Sequence, residues 1–409
     1  MPPALLSLNN YHYRRGGSDV VFLDHDQLFR ELGWKTAVMA MDHPKNLTSP
    51  WSRFFVNEIE FGHSYSPGRK LVNATKVVYS FEASRRLRAL LSEFKPDVAH
   101  AHCIYHHLSP SVLWTLRRAN IPVVLTAHDL KVLCPAYKML NSLGICERCK
   151  NHSVFNAVRY KCVHGSRTVS ALVAIEAALH RTLKTYEKTV DMIVAPSQFF
   201  VDKFLEWGWS DKKIRLVRNF VDERDAPIRQ EHGDYFLYFG RLSIEKGVGT
   251  LLTAARDAGI RLFIAGTGPE EKRLRELATT LRANVEFLGF RTGDDLRRIV
   301  QGALAVVLPS EWYENNPMSV LEAFSLERPV VGARIGGIPE LVVEGSTGLL
   351  FESGNVADLT RALRAVISMP KSTLDALGAN GRCLVQTSYS RATYVESTLD
   401  VYRSLGISC

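Results

Sequence analysis

Short apolar runs alternate with amphipathic stretches along almost the whole chain. "ALLSLNN" precedes a helical pattern from about Ser18 to Leu32, and "KTAVMAM" follows it. "ASRRLRALLSEF" leads to "DVAHAH", "PSVLWTLRRA" to "PVVLTAHD", and the long helical pattern "VSALVAIEAALHRTLKTYEKTV" to "MIVAPS". The apolar runs are short, rich in Val, Ala and Ile, and lack period-two alternation. That pattern fits strands buried on both faces of a parallel sheet. A second series begins near Tyr235, with "YFLYFGR", "RLFIAG", "NVEFLGF", "ALAVVLP", "RPVVGA" and "TGLLFE" as strands.

Between the two series lies "NFVDERDAPIRQEHGD", which is polar, contains Pro227 and has no periodicity. Such a stretch reads as a linker. The expected architecture is therefore α/β, with two Rossmann-like doubly wound domains facing a cleft. The first covers 1–218 and the second 235–387, joined by a linker at 219–234. A terminal helix at about 388–409 is expected to pack back on the first domain. Ligands of doubly wound sheets bind at the carboxyl ends of the strands, so the residues just after each strand are the candidates for function.

After the first strand, "YHYRRGGSDVV" offers Gly16 and Gly17 for close backbone approach to a ligand. Ser18 or Asp19 can cap the next helix, whose N-terminal amides favour an anion. Read alone, the pair is a plain tight turn. After the first strand of the second series, "GRLSIEKG" places Gly240, Arg241 and Lys246 beside a helix N-terminus, charge and dipole together, as a diphosphate would require. "IAGTGPEEKRL" departs from a full dinucleotide fingerprint because Glu271 occupies the third glycine position. Gly266 and Gly268 are read as a structural turn.

"ALAVVLPS" is followed by "EWYENNPMSVLEAF", in which seven residues separate Glu314 from Glu322. Glu314 is expected in the loop and Glu322 about a turn and a half into the helix, with Pro317 in the helix's first turn. Two acceptor carboxylates beside several donor amides suit a ligand with many hydroxyls. A capping Glu and a solvated Glu are the plain alternative.

These segments, with "TAHDL" and "RPVVGARIGGIPELVVEGSTGLLF", resemble the retaining glycosyltransferases of family 4, which have the GT-B fold (glycosyl transferases group 1). The likeness covers nearly the whole chain, and the E-x7-E segment with "EAFSLERPVVGARIGGIPELV" is its most specific part. The resemblance implies a nucleotide-sugar donor, retention of anomeric configuration and a glycan or lipid-linked glycan acceptor. It implies that Glu314 contacts the donor sugar, helped by Asn315 and the amides of Asn316, Met318 and Ser319, and that Glu322 binds the ribose. Arg241 and Lys246, after Gly240, would hold the diphosphate, Gly16 and Gly17 would close on it, and His128 would contact the sugar near the reaction centre. Asn315 and Pro317 depart from the family's usual E-G-F-G, and Pro317 has no amide to donate. No cofactor is required for catalysis on this reading. The donor, a UDP- or GDP-sugar, is a substrate. A sugar-nucleotide epimerase or a phosphorylase on the same fold is the alternative enzyme.

Composition changes the picture in two places. The formal net charge is +9, with 51 Lys+Arg against 42 Asp+Glu. That excess is modest for 409 residues and no block of like charge occurs, so nucleic acid is not expected as a partner. The opening residues lack a basic leader and a small-residue cleavage site. A cytoplasmic protein is expected, with the inner membrane face as a second location. The long helix from about Val169 carries apolar residues with Arg181, Lys184 and Lys188 toward its end. Packing on its sheet is preferred over a peripheral membrane contact.

Four of the seven cysteines, Cys134, Cys146, Cys149 and Cys162, fall in an insertion at about 131–165. Cys146 and Cys149 form a C-x-x-C, the spacing that lets two thiolates share one metal. A structural Zn²⁺ is weighed evenly against incidental thiols, with an iron–sulfur cluster behind both and His152 and His164 as reserve ligands. The same segment underlies the reading from another class, a nucleic-acid-binding protein with a metal module.

Overall fold

The structure, a computed structural model, describes residues 2–58, 75–222 and 233–409. Of the expected linker, residues 223–232 lie outside the described residues. The chain divides into two compact units. The first comprises Met1–Pro196, Phe200–Val217 and Glu396–Cys409, and the second Ser197–Phe199 and Arg218–Val395.

In the first unit the strands are β1 (Ala4–Leu8), β2 (Lys35–Met39), β3 (Val98–Ala101), β4 (Val123–Thr126), β7 (Met192–Ala195) and β8 (Ile214–Leu216), with a small hairpin of β5 (Leu140–Asn141) and β6 (Gly144–Ile145) between. The six main strands pair in parallel in the order β2-β1-β3-β4-β7-β8. The second unit repeats the plan with β9 (Tyr235–Phe239), β10 (Arg261–Ala265), β11 (Val285–Gly289), β12 (Ala305–Leu308), β13 (Val330–Ala333) and β14 (Gly348–Phe351), ordered β11-β10-β9-β12-β13-β14. Every pairing in this sheet is parallel. Strands β1, β3, β4, β7, β12, β13 and β14 are buried along their whole length, which is why their sequences are continuous apolar runs rather than alternating ones.

The winding direction reverses between β1 and β3 in the first sheet and between β9 and β12 in the second. Adjacent loops therefore diverge over opposite faces at these points and leave room for a ligand at the strand ends. The core of the second unit packs both faces of its sheet, with Phe236, Tyr238, Leu262, Ile264, Val306, Leu321, Phe324 and Phe351 among its members.

Three expectations change. The long helical stretch is two helices, Arg167–Leu183 and Thr185–Thr189, broken where Lys184 takes the left-handed conformation (φ 51°). One face of the first is buried through Ser170, Val173, Ala174, Glu176 and His180, while Val169, Ile175, Leu179 and Leu183 are exposed. Strand β8 had too little apolar length to be read from sequence. The helix Gly17–Glu31 is capped by neither Ser18 nor Asp19: Gly16 is its N-cap and no side chain bonds there.

The first sheet buries polar side chains at its centre. His100 on β3, His25 on the helix Gly17–Glu31 and Tyr402 near the chain's end are fully buried. His100 Nδ1 meets the Tyr402 hydroxyl at 2.7 Å and Nε2 meets Thr126 Oγ1 at 2.7 Å, while the same hydroxyl lies 3.2 Å from His25 Nε2. Burial drives His100 and His102 well below the ordinary histidine value, and His25 down to about 3. A charged imidazole there would lose its hydration without gaining an anion, so the cluster is neutral.

The consequence for stability has a definite sign. Below about pH 6.5 the unfolded chain takes up protons that these histidines refuse when folded, so stability falls as pH falls, by about 1.4 kcal/mol per pH unit per fully refusing group. Asp19 and Asp129, pushed up to about 6 by burial, act in the opposite sense. They are outnumbered by His25, His100 and His102 with His106, His107 and His128, all shifted downward. Melting curves are expected to show Tm dropping between about pH 6.5 and about pH 4.5. A flat or rising Tm over that interval would contradict a neutral cluster.

Candidate active site

The second unit's site is built where the sheet's winding reverses. β9 ends at Phe239, and Gly240 follows with φ 149°, a conformation that favours glycine. Gly240 N donates to Ala265 O at 3.0 Å and Leu242 N to Thr267 O at 2.9 Å. A Cβ on Gly266 would stand 1.9 Å from Gly240 O, and one on Gly268 2.2 Å from Leu242 O. These two glycines thus serve structure, as expected, and the structure they serve is the loop that carries Arg241. The Tyr238 hydroxyl donates to Arg241 O at 2.8 Å, which holds the backbone while the side chain stays exposed.

Lys246 ends a short 3₁₀ turn, Ile244–Lys246, and Gly247 (φ 66°) caps the helix Val248–Ala258. No side chain bonds at that cap, so the helix's first amides face outward, and an anion is favoured there. The loop after β12 lies directly on this turn. Glu311 N donates to Glu245 O at 2.9 Å, Thr250 Oγ1 bonds Glu311 Oε1 at 2.5 Å, and a Cβ on Gly247 would come within 1.8 Å of Pro309 O.

This seating brings Glu314 to Lys246. Lys246 Nζ pairs with Glu314 Oε1 at 2.6 Å, and Ser310 Oγ donates to the same oxygen at 2.6 Å. Glu314 is only 5% exposed, while Lys246 is half-buried. Lys246 Nζ also lies 5.2 Å from the centre of the Trp312 ring. The indole Nε1–H of Trp312 and the Ser243 hydroxyl are buried with no partner in the protein. A donor so placed is expected to find a ligand or water partner.

Gly336 and Gly337 support the loop from behind. Gly337 N donates to Glu314 O at 2.8 Å. A Cβ on Gly336 would lie 2.4 Å from Glu314 O, and one on Gly337 1.9 Å from Asn315 O. Ser197 Oγ donates to Asn315 Oδ1 at 2.8 Å, and Asn219 Nδ2 to Asn316 O at 3.3 Å. Pro317 is the N-cap of the helix Met318–Ser325, one position earlier than expected. No side chain bonds at this cap either, and Met318, Ser319 and Glu322 are half-buried.

In the first unit Gly16 caps, and Gly17 opens, the helix that follows β1. Asn9, at the end of β1, ties this region together. Its Nδ2 donates to Tyr11 O (2.8 Å) and Asp19 Oδ1 (2.9 Å), and its Oδ1 accepts from Cys103 N at 3.0 Å. His128 follows β4, with Nε2 2.8 Å from His102 Nδ1 and burial holding it down to about 4, so it is neutral at pH 7. His12 is a core histidine, packed on Phe22 and Phe55 with Nδ1 against Leu47 O. Arg14 pairs with Asp24, and Arg15 lies 4.0 Å over the Tyr11 ring.

Arg241, Lys246, Glu314 and Glu322 all belong to the second unit, the first three in the segments after β9 and β12 and Glu322 in the helix Met318–Ser325. Sequence reasoning did not foresee that Lys246 and Glu314 are partners, nor the parts of Ser310, Trp312 and Asn9. His102 directly follows β3, at the strand end where a ligand of such a sheet binds.

Two Rossmann-like halves, the second with cationic and acidic loops at its reversal point, are the parts of the GT-B class. A family description, glycosyl transferases group 1, matches residues 220–383, and another, glycosyltransferase family 4, matches residues 15–225. The chain belongs to glycosyltransferase family 4. It is 29% identical over 321 residues to sulfoquinovosyl transferase SQD2 of Arabidopsis thaliana, covering 75% of this chain and 56% of that protein. The chain thus spans a little over half the length of that relative. Sucrose-phosphate synthase from Thermosynechococcus elongatus has the same fold, with TM-score 0.73 at 18% identity over 98% of this chain and 99% of its own. The Anabaena protein HepE, solved with UDP-glucose, superposes with TM-score 0.68 at 19% identity over 98% and 99%.

The backbone contacts make a stability prediction. Gly337→Ala must displace the Asn315 carbonyl and is expected to cost about 2 kcal/mol or more in denaturant unfolding. Gly249→Ala, whose nearest neighbour would be at 3.7 Å, lies inside a helix and is expected to be neutral or stabilising by about 0.5–1 kcal/mol.

Proposed function

We propose that this chain is a retaining glycosyltransferase that moves a sugar from a nucleotide-sugar donor, a UDP- or GDP-sugar, to a hydroxyl of a glycan or lipid-linked glycan. The observation that carries the reading is the Lys246–Glu314 pair at 2.6 Å, set beside Arg241 and two helix N-termini at the strand ends where the second sheet reverses. Family membership and the UDP-glucose bound by HepE support it.

On this reading Arg241, Lys246 and the outward amides of the helix Val248–Ala258 face the donor diphosphate. The bond between the anomeric carbon and the phosphate oxygen breaks, and its electron pair leaves on the diphosphate. Fixed positive charge there stabilises the transition state without reorganisation, and the mechanism needs no metal between the phosphates. The acceptor oxygen bonds to the same carbon from the face of the leaving group, and its proton passes to the departing phosphate oxygen.

Lys246 and Ser310 both occupy Glu314 Oε1. Oε2 is therefore the oxygen assigned to a donor-sugar hydroxyl, and Glu314 holds Lys246 in place as well as reading the sugar. Glu322 takes the ribose hydroxyls, with Asn315, Asn316, Met318 and Ser319 lining the approach. Gly16, Gly17 and His128 keep the roles that the family resemblance implies. His128, being neutral, orients a hydroxyl by hydrogen bonding. A lipid-linked acceptor agrees with the exposed Val169, Ile175, Leu179 and Leu183 beside Lys184 and Lys188. Among the described residues no helix is long and apolar enough to cross a membrane.

A thermal-shift screen of UDP-, GDP- and ADP-sugars tests the donor reading. Donor at 100 times its Kd adds about 2.7 kcal/mol to apparent stability, so one nucleotide class is expected to raise Tm clearly. Lys246→Ala and Glu322→Ala are expected to weaken that donor by roughly 10- to 150-fold, the worth of a charge-assisted hydrogen bond. If no nucleotide sugar stabilises the wild-type chain or is hydrolysed by it, the reading fails.

A further inference from the structure

The segment after β4 has little of its own to hold it. Within residues 131–165 the regular structure is the two-residue strands β5 and β6 and one helical turn, Asn156–Arg159. The apolar side chains it buries are few: Leu133, Ala136, Met139, Val154 and Ala157, with Cys134 and Cys149. A stretch with so small a core ordinarily needs a disulfide or a metal to fix it. All seven cysteines are free thiols.

The backbone around these cysteines is arranged in two matching halves. The Met139 N–H points at the Cys134 sulfur, and Met139 O accepts from Cys146 N at 2.7 Å. The Ala157 N–H points at the Cys149 sulfur, and Ala157 O accepts from Cys162 N at 3.0 Å. Each of these two residues therefore ties one pair of cysteines, and the Ala136 N–H gives the Cys134 sulfur a second donor. Amides directed at sulfur favour a thiolate; as a neutral thiol, Cys149 Sγ donates only a long bond to Val154 O at 3.9 Å.

The two halves face one interior. Cys162 lies in the field of Cys134, Cys146 and Cys149, and Cys149 in that of Cys134 and Cys146. Four thiols gathered on one short segment, each within electrostatic reach of the others, are a donor set that a coordinating metal would bind as thiolates. The outer surroundings are positive: Lys131 acts on Cys134, Arg181 on Cys149 and Arg148 on Cys162. Arg181 also binds Cys149 O (3.1 Å) and Leu133 O (2.5 Å). A four-thiolate centre keeps a net negative charge around its ion, and these cations are placed to offset it.

We propose that Cys134, Cys146, Cys149 and Cys162 form a four-thiolate site for one structural Zn²⁺ that fixes the segment following β4. Four sulfurs in a closed set select zinc among common divalent ions. Among the described residues the three ligand atoms already within 4.8 Å of one another are those of His25, His100 and His102. That trio is not the site, because Tyr402 and Thr126 already engage both nitrogens of His100. The four sulfurs are not among the groups already gathered within that distance, and a bound ion would hold each at about 2.3 Å. Cys134 lies five residues beyond Asp129, so closing the site pins the turn that carries His128. The buried Lys131–Glu176 pair at 2.7 Å pins its other side.

The test uses the full-length chain purified without chelator. Elemental analysis is expected to find about one zinc per chain. Reconstitution with Co²⁺ is expected to give the intense visible absorption of a tetrahedral cobalt–thiolate centre. Cys146→Ser and Cys149→Ser should each reduce retained zinc at least about tenfold and lower Tm. Cys383→Ser and Cys409→Ser, both at exposed positions, should change neither. The proposal is overturned if the wild-type chain holds no zinc while the four thiols react freely with a thiol reagent in the native state. It is equally overturned if mass spectrometry finds them paired as disulfides, or if the metal is iron with sulfide. Should the serine variants fail to fold, the zinc content and cobalt spectrum of the wild-type chain still decide.

Discussion

The carbonyl oxygens of Gly240, Leu242, Pro309 and Asn315 each press against a glycine at a position where a Cβ would come within 1.8–2.2 Å. This stacking of backbone on backbone determines where the second unit's charged groups stand. It lowers the loop after β9 onto the loop after β10, and the loop after β12 onto the loops after β9 and β13. Arg241, Lys246 and Glu314 then occupy one neighbourhood although 73 positions separate the first from the last. A side chain at any of the four glycines would part the layers by more than the length of the Lys246–Glu314 contact can absorb.

On the proposed reading, the pairing of Lys246 with Glu314 resolves a difficulty in placing a carboxylate near a donor diphosphate. Alone, Glu314 would repel the phosphates. Paired through one oxygen with Lys246 and Ser310, its charge is shared, and its other oxygen remains an acceptor. A buried pair of this kind contributes little net stability, since desolvation consumes most of the attraction. Its value lies in geometry, because an ammonium on a flexible stem is held in one position before any ligand arrives.

The alternation of apolar runs and amphipathic stretches made the two sheets legible, because parallel strands buried on both faces leave an unmistakable pattern. All six strands of the second sheet were readable this way, as were the loops that carry Arg241, Lys246 and Glu314. Strand β8 escaped because "IRL" is too short to show any period. The break at Lys184 escaped because a non-glycine residue in the left-handed region leaves no compositional trace. The contacts within the site were hidden for a different reason. Gly336 and Gly337 read as an ordinary turn, and only their packing on residues 314 and 315 shows what their missing side chains permit. The same holds for His25, His100 and Tyr402, whose partnership spans the chain and has no local signature.

That partnership bears on the order of synthesis. Tyr402 is fully buried and bonded to His100, 302 positions earlier. A ribosome delivers the first unit's sheet well before the hydroxyl that its central imidazoles bond. The second unit's continuous stretch, Arg218–Val395, is complete by then. The first unit therefore cannot complete its interior until the second unit's stretch has been made, and its polar core waits on a segment that lies beyond that stretch.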